Sequence, residues 1–287
     1  MVSVLRYLGF LFLAGAAAAS AQTLTANDVI EQIKAHVGVP WRTATVDTFK
    51  AGDPSTPVTG IAVTMMATYD VLVRAAAHGD NLIITHEPTF YSHLDKTDAF
   101  ENANDPVWQQ KEQFIRDHHL VVWRFHDHWH MHRPDGILTG VVDDLKWQSY
   151  QSKTEPELFN VPPTTVAALA SQMKQRLGIH VVRVVGDPSM KVTTVALSPG
   201  AGGPGLHLKT LYRDHPGVLA IGEVPEWETI EYIADAAAEG RHQALILLGH
   251  IPSEQAGMEY CATWLKTFIT GVKIEFVPAK EFFWLAK

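Results

Sequence analysis

Three short apolar runs in this chain each stop at residues able to ligate a metal, and that pattern constrains the fold more than any other feature. The run Asn81–Thr85 (NLIIT) ends in His86-Glu87. Leu120–Phe125 (LVVWRF) opens into the histidines His126, His128, His130 and His132. Ala244–Leu248 (ALILL) is followed by Gly249-His250 and, four residues further, Glu254. Apolar runs of this length, bounded by turn residues, read as buried strands. Helical spacing lies between them over Tyr69–His78 and Pro106–His119. Strand-helix alternation is the signature of a mainly parallel sheet with helices on its faces. Such sheets place ligands at the carboxyl ends of their strands, where all three clusters fall.

The rest of the chain extends this α/β reading. Val58–Thr68 and Val272–Val277 read as further strands of the same sheet. Residues 148–163 (QSYQSKTEPELFNVPP) turn polar and proline-containing, as a linker would. Beyond them come a helix over Thr164–Leu177, strands over Val181–Val185, Val192–Leu197 and Val218–Ile221, and a helix over Glu226–Glu239. A helix from about Ser253 follows. The expected architecture is two-lobed, with mainly parallel or mixed sheets and helices on both faces. Residues 22–150 plus 243–287 form a metal-site lobe, and residues 160–242 a middle lobe inserted into it.

The chain opens with one arginine, an apolar stretch and Ala19-Ser20-Ala21. That is the pattern of a secretory signal peptide over residues 1–21, cut before Gln22. An exported protein, periplasmic or secreted, is expected, with no membrane span in the mature chain. The net charge is −8, and removing Arg6 makes it one unit more negative. An acidic chain without a basic run excludes nucleic acid as a partner. Cys261 is the single cysteine, so no internal disulfide forms, and its helical context (MEYCATWL) makes it a core residue.

Neutral imidazoles with carboxylates bind borderline divalent ions such as zinc, iron, manganese or nickel. In an extended strand, alternate side chains share a face, so several of the four clustered histidines are expected on one side. Asp127 then faces away as an outer hydrogen-bonding partner. Other chemistry is poorly supported. Ser198–Gly205 (SPGAGGPG) lacks the Lys-Ser/Thr of a phosphate-binding loop and reads as a tight turn. Ser253 has no G-x-S-x-G elbow around it. His118 and His119 close a helix, a structural position.

Between about Val58 and Lys266 the chain resembles the Ngg-interacting-factor-three-like proteins, often labelled as a type-two GTP cyclohydrolase homologue. NLIITHEPTF is similar to that family's strand ending in two histidines, and RFHDHWH to its H-x-x-x-D strand end, with His126 and His130 at the matching positions. VALSPGAGG is similar to its glycine-rich turn. GEVPEWETIEYIADAAAEG and LLGHIPSE resemble its G-E-V-x-x-x-T-I stretch and its closing G-H-x-x-[ST]-E motif. Two positions depart: Glu87 stands where the family has a second histidine, and His130 where it has a bridging aspartate. The ligand inventory is kept while its positions are exchanged.

The resemblance implies two metals in a cleft between lobes and a homo-oligomer, a ring-like hexamer. The expected ligands are His86, Glu87, His130, His250 and Glu254, holding one or two divalent transition metal ions. His126 is the expected catalytic proton shuttle or a sixth ligand, with His128 or His132 as alternates. The activity expected is that of a metal-dependent hydrolase acting on a small molecule through a metal-bound hydroxide. The alternative is a non-catalytic metal-binding or metal-sensing protein of the envelope. An exported enzyme rarely meets GTP, so the cyclohydrolase label assigns no substrate here.

Overall fold

The computed structural model describes residues 23–286; the signal peptide expected over 1–21 lies outside them. In chain order come helix α1 (Ala26–His36), strands β1 (Phe49–Ala51) and β2 (Gly60–Thr64), helix α2 (Tyr69–Ala77) and strand β3 (Leu82–Thr85). Helices α3 (Asp98–Asn102) and α4 (Pro106–Asp117) lead to β4 (Val121–Arg124). Two further helices follow, α5 (Asp127–Met131) and α6 (Gly136–Leu145). The next stretch holds β5 (Leu158–Thr165), α7 (Val166–Arg176), β6 (Arg183–Val185) and β7 (Lys191–Ser198). Then come α8 (Gly203–Asp214), β8 (Val218–Ile221), α9 (Glu231–Ala238) and β9 (Ala244–Leu247). Helix α10 (His250–Leu265) and strand β10 (Lys273–Phe276) finish the described chain.

The strands form two five-stranded sheets, ordered β1-β4-β3-β2-β10 and β5-β7-β8-β9-β6. In the first, β4, β3, β2 and β10 run parallel, and β1 caps the edge antiparallel to β4. In the second, β7, β8 and β9 are parallel, flanked by antiparallel β5 and β6. The two-lobed α/β fold is therefore present, with mixed sheets. Every residue of β2, β3, β4, β8 and β9 is buried, as expected of central parallel strands covered on both faces.

One core packs α1, α2 and α10 around the first sheet, and a second lies under the other sheet with α6 and α7. Helix α6 joins the two: Ile137 belongs to the first core, while Leu138, Val141 and Leu145 belong to the second. Its contact with α10 is unusually close. A Cβ on Gly140 would stand 2.2 Å from the Ala256 carbonyl, and one on Gly257 would stand 2.4 Å from Ile137 Cα. Neither glycine leaves room for a larger residue.

Four expectations change. The stretch 148–163 holds strand β5 as well as loop; Pro162 and Pro163 are tolerated because β5 is an edge strand, and its register with β7 shifts between Asn160 and Thr164. The boundary expected at 242/243 cuts before β9, which pairs with β8 and β6 in the second sheet. The histidine run is helical, not extended: β4 ends at Arg124 and α5 begins at Asp127. Helix α10 starts at His250, ahead of Ser253. Among the described residues no helix is long and apolar enough to cross a membrane. Cys261 is buried in the first core.

Candidate metal centre

The carboxyl ends of β3 and β4 and the start of α10 meet at one cavity of about 410 Å³, lined by Glu87, His126, His130, His250 and Glu254 among others. His86 lies fully buried behind that surface. Because α5 is helical, His126 and His130 stand four residues apart on one face. His250 and Glu254 repeat that spacing at the start of α10. All six residues singled out in the sequence are thus brought together. The alternates are not: His128 is buried against Trp41, with ring centroids 3.6 Å apart, and its Nδ1 lies 2.6 Å from Asp47. His132 pairs its Nδ1 with the Pro134 carbonyl.

Four of these imidazoles are held the same way. His86 Nδ1 meets the Phe125 carbonyl at 3.1 Å, His126 Nδ1 meets Asp127 at 3.0 Å, His130 Nδ1 meets Asp135 at 3.0 Å, and His250 Nδ1 meets Glu223 at 3.0 Å. Each outer acceptor favours a proton on Nδ1 and leaves Nε2 facing the cavity, the arrangement that prepares a histidine for a metal. The Nε2 atoms then turn toward two carboxylates. Glu254 Oε2 lies 3.2 Å from His250 Nε2 and 3.7 Å from His86 Nε2, while its Oε1 lies 4.0 Å from His130 Nε2. Glu87 Oε1 is 3.4 Å from His250 Nε2 and 3.6 Å from His126 Nε2.

His250 pairs with both carboxylates, but the remaining groups converge without bonding one another. His86 Nε2 and Glu254 Oε2 are buried and make no hydrogen bond, a costly state for polar atoms in an interior. Ligand atoms of His86, His126 and His130 lie within 4.8 Å of one another, as do those of His86, Glu87 and Glu254. A divalent ion fits this donor set: it would satisfy both orphaned atoms, and imidazole with carboxylate suits the zinc-to-manganese range.

The electrostatics point the same way. Burial and the neighbouring His126 and His130 hold the His86 pKa well below its ordinary value. Burial, then His130, also lowers that of His126. Burial opposes charge on His250, yet Glu223, Glu254 and Glu87 together push its pKa up to about 12. Burial would raise the Glu87 pKa, but His250, His126 and Arg124 outweigh it and lower it. An imidazole driven this far toward protonation marks a centre short of positive charge.

Several participants went unread in the sequence. Asp135 both caps α6 through Leu138 N and holds His130; in Pro-Asp-Gly it reads only as a turn. Glu223 follows β8 in an ordinary loop. Asp47 accepts from the backbone N–H groups of His126, Asp127 and His128, fastening the α5 start. Arg124, fully buried, and His93, at the cavity wall, complete the set. Asp127 does serve as an outer partner, taking hydrogen bonds from Thr45 Oγ1 and Val46 N as well. The glycine-rich turn comes up beneath Glu254: Gly200, at φ +71°, would place a Cβ 2.2 Å from Glu254 Oε1. Ser253 Oγ accepts from Gly200 N and donates to the His250 carbonyl, so it is engaged in the backbone.

Residues 46–281 match the profile of the Duf34/NIF3 (NGG1p interacting factor 3) family. Solved structures with a similar fold include the Staphylococcus aureus protein SA1388, at 17% identity and TM-score 0.69 over 90% of this chain and 97% of that one. A Bacillus cereus protein related to NIF3 is similar at 12% identity and TM-score 0.72, over 93% of this chain and 100% of the other. Reduced HcgD from Methanocaldococcus jannaschii is similar at 12% identity and TM-score 0.60, over 88% and 98% of the two chains. At such identities the likeness concerns the fold. No curated protein matches this chain.

Proposed function

Since the chain belongs to the Duf34/NIF3 (NGG1p interacting factor 3) family, we propose that it is an exported, metal-dependent hydrolase of a small-molecule substrate. The observation that carries this reading is the set of four histidines, each anchored through Nδ1, whose Nε2 atoms face Glu87 and Glu254. His86, Glu87, His130, His250 and Glu254 are the ligands proposed. His126 joins them as a sixth donor, because its ring nitrogen clusters with those of His86 and His130.

Glu254 turns one oxygen to His130 and the other to His86 and His250, which suits a carboxylate shared between two ions. It would offer the carboxylate that is lost at His130, which stands where the family has aspartate. When bound, divalent ions supply Lewis acidity that polarises a substrate oxygen and lets water ionise near neutral pH. Six donors shared between two ions would leave positions open for substrate and water. That favours a hydrolase over a closed structural or sensing site. His93, at the cavity wall with its ring centroid 6.4 Å from that of His126, is placed to move the proton.

Elemental analysis of the purified chain should find one to two transition metal ions per chain. Replacing His250 and Glu254 together by alanine should remove most of that metal, and a double variant that keeps it would sink the assignment. A panel of phosphoester, amide and cyclic amidine substrates should give turnover that chelation abolishes. His93→Ala should lower kcat while leaving metal content intact. Metal content without turnover on any member would turn the reading to a binding or sensing protein. Export and assembly are proposed with it: intact mass from an exporting host should show residues 1–21 removed, and light scattering should show a homo-oligomer, a hexamer.

A further inference from the structure

Strand β4 ends on a charge that a fully buried strand has no obvious reason to carry. Arg124 is wholly inaccessible. Its guanidinium is spread over three neighbours: Nε donates to the His86 carbonyl at 3.0 Å, Nη1 to the His93 carbonyl at 2.5 Å, and Nη2 to Glu87 Oε2 at 3.3 Å. Asp95, its side chain buried and paired with Lys50, stands 3.9 Å from Nη1. A buried cation held this completely is costly to maintain for packing alone. Its placement is specific: the fork reaches one candidate ligand by its backbone and the next by its side chain.

We propose that Arg124 is a positioning residue that restricts Glu87 to one-oxygen donation at the centre. Oε2 is committed to the guanidinium, so Oε1 is the oxygen left facing His126 and His250. A planar fork can hold a carboxylate oxygen and two carbonyls at once, which an ammonium cannot do with the same fixed geometry. The pairing also neutralises part of the charge that Glu87 brings to an interior already holding Glu254. This inference rests on the metal reading above. It adds that the carboxylate at position 87 depends on a cation thirty-seven residues away.

Cobalt(II) titration of the full chain tests both and separates them. The parent's own titration tests the metal reading, and a parent that binds no cobalt takes both down. Given binding, Arg124→Gln should weaken cobalt affinity about ten- to a hundredfold, the range for losing an outer partner of a ligand. Its visible absorption should also weaken, because a released Glu87 offers both oxygens and raises the coordination number. In a Glu87→Gln background, adding Arg124→Gln should cost little more, since partners acting through one contact are not additive. Unchanged or tighter cobalt binding, or the full loss repeated in the Glu87→Gln background, would overturn the proposal. If Arg124→Gln does not fold, Arg124→Lys keeps the charge without the fork and should show the same losses.

Discussion

At the residue scale, the site depends on carboxylates that lie outside the proposed ligand set. Asp135 and Glu223 hold His130 and His250 by Nδ1. Asp135→Asn or Glu223→Gln should therefore weaken metal binding about ten- to a hundredfold in isothermal titration, with the fold intact by circular dichroism. A loss under twofold for both would mean that the imidazoles are oriented by packing alone. The six groups of the site were legible in the sequence because type and position agreed: histidine or glutamate just beyond an apolar run. Their supports were not. Asp135 looks like a turn residue, Glu223 like a surface charge, and Arg124 like an interruption of a strand. Their partners become visible only when the loops close. The alternation of the four histidines was misleading in a specific way. Extended backbone would have grouped all four, whereas one turn of helix groups His126 with His130 and sends His128 to Trp41 and Asp47.

At the element scale, helix crossing sets the spacing of the ligands. Helices α6 and α10 meet at Gly140 and Gly257; α6 begins beside Asp135, and α10 begins at His250. Gly140→Ala should force the pair apart, at a cost of about 1–3 kcal/mol for overpacking. It should lower both Tm and metal affinity, and a lowered Tm with full affinity would show that the crossing does not govern the site.

Helix α8 gives a pH signal of its own. His207 is buried, with Nδ1 against Thr229 Oγ1, and burial pushes its pKa down to about 4. A depressed folded pKa means full stabilisation above the unfolded value, near 6.5, and progressive loss as pH falls toward 4. Urea midpoints at pH 7 and pH 5 should therefore differ more for the parent than for His207→Gln; equal differences would contradict the shift. The central strands β2, β3, β4, β8 and β9 were readable because burial on both faces leaves uninterrupted apolar runs. Edge strands were not. The three residues of β1 carry no pattern, and the prolines of β5 imitate a linker.

At the scale of the whole molecule, the donors gather where the chain returns from the second sheet to the first: β3 and α5 lie beside the first sheet, and α10 follows β9 of the second directly and packs into the first core. An ion bound there would join segments far apart in the chain. At a hundred times its Kd it should add about 2.7 kcal/mol of stability by mass action. Chelator should lower the parent's Tm, and the shift should vanish in a variant lacking His86 and Glu254; a persistent shift would place the ion elsewhere. The strand order carries a further consequence. Strand β10 is the last of the chain, yet it pairs with β2, next to the strand that carries His86. The first sheet is therefore incomplete until β10 has been delivered. A ribosome or translocase working from the N-terminus releases His86 early and His250 late, so no ion can be captured by the full donor set midway. If the centre holds an ion as proposed, the pool of ions present where His250 and Glu254 arrive, as much as the donors, would decide which element the protein carries.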